Sequence, residues 1–141
     1  MNILLIKSRS DEPDVFSAAL QHLRIDATYR REFCCDDAFS RYSKKAIPKP
    51  DYIFLDIDML LLMDGYSCLK MIRCSLEFVG TPVIVCAPSG QADDIEFMLR
   101  HGASLSLIKH SDFLMFCSCL DEIIRPEARL MRSMGATQVT S

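Results

Sequence analysis

Short runs of consecutive apolar residues alternate along this chain with segments whose apolar residues recur every three or four positions, and few folds accommodate that alternation. The runs are NILLI (2–6), YIFLD (52–56), VIVCA (83–87) and LSLI (105–108). A strand apolar at nearly every position has both faces buried, which is the habit of a parallel sheet. ATYRRE (27–32) is strand-like but polar and suits a sheet edge. Between the runs, Val15, Phe16, Ala19, Leu20 and Leu23 fall at helical spacing within 13–23. Asp36 or Asp37 is placed to cap a short helix through Ala38, Phe39 and Tyr42, which AIPKPD (46–51) ends. Asp64 is read as the cap of a helix over about 65–77, with Leu69, Ile72 and Leu76 inward. Ile95, Met98 and Leu99 stripe a helix over 92–100, and Gly102 suits its C′ position. Ser111 or Asp112 caps a last helix carrying Phe113, Phe116, Cys117, Leu120, Ile123 and Ile124. Five strands alternating with five helices over short connections predict an α/β fold. Its core is a doubly wound five-stranded parallel sheet with right-handed crossovers.

The 141 residues suit one domain, read as 1–125, and PEARLMRSMGATQVTS (126–141) reads as a C-terminal tail. With 50% of residues hydrophobic and 25% charged, a full core can be buried. A net charge of −3 leaves no broad basic field for nucleic acid, and tryptophan is absent. No apolar run approaches the roughly 18 residues of a membrane-spanning helix, and MNILLIKSRS has no signal-peptide core. A cytoplasmic protein is expected. The seven cysteines form no Cys-x-x-Cys pair, and the three histidines show no ligand spacing to them. They are read as reduced thiols that mostly fill the core.

The order and spacing of five pieces carry more than their composition. They are ILLI (3–6), PDYIFLDID (50–58), MDG (63–65), TPVIV (81–85) and GAS with LIK (102–109). Over about 2–125 the chain resembles the receiver domain of bacterial response regulators, the CheY-like, flavodoxin-like fold. The resemblance implies strand order 2-1-3-4-5 and a site at the carboxyl ends of the strands. It puts Asp56 in the phosphoacceptor position and Lys109 at the lysine of the family.

Other positions depart from that pattern. Phosphoryl transfer to a carboxylate needs a nucleophile, a hard divalent cation, a cation over the phosphoryl group and a hydroxyl that reads the product. Receivers end the first strand with two acidic residues that hold Mg²⁺; here Lys7 and Ser8 stand there. At about 4 Å and an effective dielectric near 20, each unit-charge contact is worth roughly 4 kcal/mol, so a divalent ion beside Lys7 loses about twice that. Asp11 and Glu12 are read as first-turn acids of the first helix, and Asp58 as a loop acid. The switch hydroxyl falls on Ala87 and the switch aromatic on Ser106. His110 replaces the usual cis-proline, so a trans path is expected there. Leu60, Leu61 and Leu62 replace a proline-containing loop segment.

These departures imply an atypical receiver, a pseudo-receiver. Asp56 would be ion-paired with Lys7, Lys109 or both, with no metal, no cofactor and no catalysis. Its function would be protein–protein contact with a histidine kinase, an output domain or another signalling protein. A homodimer through helix 4, strand 5 and helix 5 is a further expectation. Contact candidates on that face are Gln91, Asp93, Glu96, Arg100, Ser106 and His110. The alternative is a Mg²⁺-dependent phosphoacceptor working through Asp56. A redox sensor at Cys86 is a third reading, weighed against an inert core thiol.

Overall fold

The computed structural model describes residues 1–7, 14–43, 47–57 and 62–127, with backbone alone at 62 and 63. Its strands are β1 (Asn2–Ile6), β2 (Thr28–Glu32), β3 (Tyr52–Asp56), β4 (Val83–Pro88) and β5 (Leu105–Lys109). They form one sheet in the order β2-β1-β3-β4-β5, and every neighbouring pair is parallel. The helices among the described residues are α1 (Val15–His22), α2 (Cys35–Ser43), α3 (Leu62–Cys74), α4 (Ala92–Arg100) and α5 (Phe113–Ile124). This is the doubly wound α/β architecture that the alternation demanded, with the polar strand β2 at an edge.

Side chains alternate across each strand, so the sheet feeds two cores. Ile3, Leu5, Phe54, Ile84, Cys86 and Leu107 pack with Phe16 and Leu20 of α1 and Phe116 and Leu120 of α5. Phe16 meets Phe54 edge-on with ring centroids 4.6 Å apart, a favoured aromatic geometry. On the other face Leu4, Ile6, Ile53, Leu55, Val83 and Val85 pack with Leu69 and Ile72 of α3 and Ile95 and Met98 of α4. Each side chain buried this way contributes about 1.5–3 kcal/mol. Polar residues are left to the strand ends, where the connections turn.

Local signals explain the boundaries. Asp14 caps α1 by accepting from Ser17 N at 3.0 Å, and Asp112 caps α5 by accepting from Leu114 N at 2.9 Å. After α4, Gly102 takes φ +119°, a backbone region that a glycine adopts without a Cβ penalty.

Several expectations change. α3 begins at Leu62, so Asp64 lies inside its first turn and is not its cap. The helix stops at Cys74, and Ser75 then caps a 3₁₀ turn, Leu76–Phe78. That turn reverses the side-chain order: Phe78 is buried and Leu76 is 90% exposed. Leu99 likewise faces out, while Ile95 and Met98 carry the α4 contact. The cysteines differ most from expectation. Cys35 and Cys68 are joined in a disulfide, because the start of α2 and the second turn of α3 bring their Cα atoms within 5.6 Å. Cys34 and Cys74 are exposed, so only Cys86 and Cys117 are fully buried free thiols.

Arg73, at the end of α3, ties the amino-terminal side of the sheet together. Its guanidinium donates to Gly102 O at 2.7 Å, Thr81 O at 2.9 Å and Ser104 Oγ at 3.1 Å. Replacing Arg73 with Ala removes all three donors and leaves Thr81 O without this partner. The expected cost is about 2–3 kcal/mol of unfolding free energy, read by urea denaturation, and Arg73→Lys should recover less than half. Leu76→Lys, by contrast, should be neutral within about 0.5 kcal/mol.

Candidate functional site

Parallel strands all point their carboxyl ends the same way, so residues just beyond β1, β3 and β5 meet at one edge of the sheet. Asp56 ends β3, paired in register with Cys86 of β4. Lys7 follows β1 and is held by its N–H donating to Glu32 O at 3.0 Å. Lys109 ends β5, opposite Pro88 of β4, and its side chain reaches back across β4.

Both ammonium groups land on the same carboxylate. Lys7 Nζ lies 3.1 Å from Asp56 Oδ2 and Lys109 Nζ lies 2.6 Å from Asp56 Oδ1. The Asp56 side chain is only 8% exposed. Removing a carboxylate from water costs several kcal/mol, which the two contacts offset. The arrangement therefore fixes geometry more than it adds net stability.

The other anticipated positions separate. His110 lines the cavity beside Asp56. No peptide bond among the described residues is cis, so the chain takes the trans path from Lys109 to His110. Ala87 is fully buried in β4, on the sheet face covered by α3 and α4. Ser106 is half-buried and lines a different surface cleft, with Tyr52 and Ile123. Ser8, Asp11, Glu12, Asp58, Leu60, Leu61 and the side chain of Leu62 lie outside the described residues, as does the tail from 128 onward. Cys86 is buried against the site. Burial, and then the charge of Asp56, push its thiol well up, while Lys109 and Lys7 pull the other way. It stays a protonated thiol, which favours the inert core reading over a redox sensor.

A cavity of about 320 Å³ opens between α1, α5 and the strand ends, and Asp14 and Arg31 in its lining belong to a cluster not singled out from sequence. Asp14 caps α1, accepts from Tyr29 Oη at 3.1 Å and faces Arg31 Nη1 at 3.7 Å. Tyr29 and Arg31 are two apart on β2, hence on one face, and Arg31 pairs in register with Leu5. That alternation was the available signal. It was hidden because β2 read only as a polar edge.

Burial, followed by the charge and hydrogen bond of Asp14, raises the Tyr29 phenol above its usual value near 10. The folded state therefore binds the phenolic proton more tightly than the unfolded chain. That stabilisation is complete below pH 10 and declines as the pH rises further. In a spectrophotometric titration Tyr29 should ionise only with alkaline unfolding. Tyr29→Phe should remove one late-titrating phenol and flatten the stability loss above about pH 10.

No family model and no curated protein sequence matches the chain. Solved structures do match. A response regulator in red light signalling of R. palustris superposes with TM-score 0.74 at 17% identity, covering 87% of this chain and 91% of that one. The fold is that of response regulator receiver domains. The signal receiver domain of a DNA-binding response regulator from Colwellia psychrerythraea gives TM-score 0.65 at 21% identity, over 87% and 97% of the two chains. The response regulator Rcp1, solved in its Mn²⁺-bound form, gives TM-score 0.66 at 19% identity, over 99% and 96%. At the level of the fold, the expected strand order holds. No helix among the described residues is long and apolar enough to cross a membrane.

Proposed function

We propose that this chain is an atypical receiver domain of two-component signal transduction, acting by protein–protein contact without phosphorylation of Asp56. The observation that carries this reading is the double ion pair. Where a receiver would gather carboxylates around a divalent cation, two lysines hold the Asp56 carboxylate at 3.1 and 2.6 Å, and no other carboxylate among the described residues shares those contacts. One carboxylate under two ammonium groups is a poor donor set for Mg²⁺, which takes oxygen ligands. Asp14 is engaged elsewhere, by Ser17, Tyr29 and Arg31. Ala87 has no hydroxyl at the switch-hydroxyl position, and Ser106 has no ring at the switch-aromatic position.

The partner would be a histidine kinase, an output domain or another signalling protein, and the protein would catalyse nothing and need no cofactor. The α4–β5–α5 face is the contact surface favoured by the resemblance. Asp93, Glu96 and Arg100 are exposed there, as are the apolar Leu99, Leu105, Leu114 and Met115. A second copy of the chain is a further candidate for that face.

The second reading is a Mg²⁺-dependent phosphoacceptor. It is favoured by Asp56 standing at the end of β3 with the Lys109 ammonium against it, the pair that phosphoryl transfer requires. Intact mass after incubation with acetyl phosphate, with and without Mg²⁺ and beside Asp56→Asn, separates the two. The expected result is no adduct under conditions that modify an ordinary receiver. A Mg²⁺-dependent phosphoryl adduct, lost in Asp56→Asn, would overturn the first reading and establish the second. Lys7→Asp replaces an ammonium with a ligand and should increase Mg²⁺ affinity at least tenfold, measured by titration of the metal. An unchanged affinity would count against Lys7 as the obstacle.

A further inference from the structure

The disulfide joins two helices that cover the same core on one face of the sheet. Cys35 is the first residue of α2 and Cys68 stands in the second turn of α3, 33 residues on. Its two sulfurs differ in access. Cys68 is 4% exposed, whereas Cys35 is half-buried. A cleft of about 290 Å³ opens at Cys35, Cys68, Ser67 and Met71, and it extends inward to Gly65 and Asp56. Cys34, with an exposed free thiol, stands at its rim.

The bridge also lies close to the Asp56 site. Gly65 precedes Cys68 by one helical turn, on the same side of α3. A Cβ added at Gly65 would sit 2.6 Å from Ile57 Cγ2, closer than side chains approach. The α3 backbone thus rests against the residue that follows Asp56. Whatever holds α3 at Cys68 also holds it against the end of β3.

We infer that Cys35–Cys68 is a reversible modification site, opened by a dithiol that enters the cleft at Cys35, and that its redox state sets the packing of α3 on the Asp56 end of β3. A thiolate of the dithiol attacks Cys35 Sγ, and Cys68 leaves as a thiolate and takes a proton. The second thiol of the reductant then attacks the reductant's own sulfur in the mixed disulfide and releases Cys35. The protein gains two electrons and two protons, and the dithiol becomes a disulfide. In a reducing compartment, bridges in ordinary proteins are transient and regulatory rather than structural, which agrees with the cytoplasmic expectation. This input requires neither a metal nor a phosphoryl group, so it stands whether or not Asp56 is phosphorylated.

The test equilibrates the native, full chain in buffers of graded reduced-to-oxidised dithiothreitol ratio, with excess reduced dithiothreitol as the endpoint. The sample is then quenched with N-ethylmaleimide in denaturant, and adducts are counted by intact mass. Seven cysteines less the bridged pair give five adducts when oxidised and seven when reduced. The protein should move reversibly between these counts, with peptide mapping linking Cys35 to Cys68. Cys35→Ser or Cys68→Ala should each give six adducts at every ratio. Amide resonances of Ile57 and Gly65 should shift between the two forms of the parent and stay fixed across ratios in either variant. Seven adducts throughout, five that persist in dithiothreitol, a bridge through Cys34 instead, or unmoved Ile57 and Gly65 signals would each overturn the inference.

Discussion

The parallel sheet governs the rest of this molecule. A strand buried on both faces can spend almost no residues on polarity, so β1, β3 and β4 are apolar along nearly their whole length. Polar chemistry is pushed to the points where strands end. Because all five strands run the same way, five carboxyl ends share one edge. Lys7, Asp56 and Lys109 lie far apart in the chain and meet there because each stands at or just past a strand end.

The electrostatics of that edge follow from its shape. A carboxylate set into an apolar sheet end needs compensating charge, and in this chain side-chain ammonium groups supply it. An ammonium donates hydrogen bonds and brings one positive charge, while a divalent cation brings two and demands several oxygen ligands. The two solutions require opposite residues at the end of β1. Lys7 occupies the position next to Asp56 with charge of the sign a metal would carry. Beside it, Asp14, Tyr29 and Arg31 form a second polar group with its own internal pairing.

What could be read from the sequence was whatever is periodic or local. The four apolar runs, the edge character of β2, a cap at Ser111 or Asp112 and the glycine after α4 each depend on residues within a few positions of one another. The pairing of Asp56 with Lys7 and Lys109 was legible only through the family pattern, which supplies the topology that spacing alone lacks. Misses occurred where a contact depends on register between distant segments. The alternation of Tyr29 and Arg31 shows that they share a face, but nothing local says that Asp14 lies under it. The Cys35–Cys68 bridge depends on where α2 starts relative to α3, and neighbouring cysteines gave no hint of it. Leu76 misled because helical spacing was continued past Ser75, whose hydroxyl ends the helix by capping a tighter turn.

Arg73 and Cys68 together give α3 the mechanics of a lever. At its carboxyl end the guanidinium grips three oxygens on the loops leading into β4 and β5, which is the fulcrum. From Arg73 back to the first residue of α3 is roughly 17 Å at about 1.5 Å per residue. A tilt of about 5° about that fulcrum carries the far end through roughly 1.5 Å, while Arg73 itself scarcely moves. Cys68 lies partway along the arm, so a constraint placed or released there is magnified toward Leu62, at the edge of the sheet where Asp56 ends its strand.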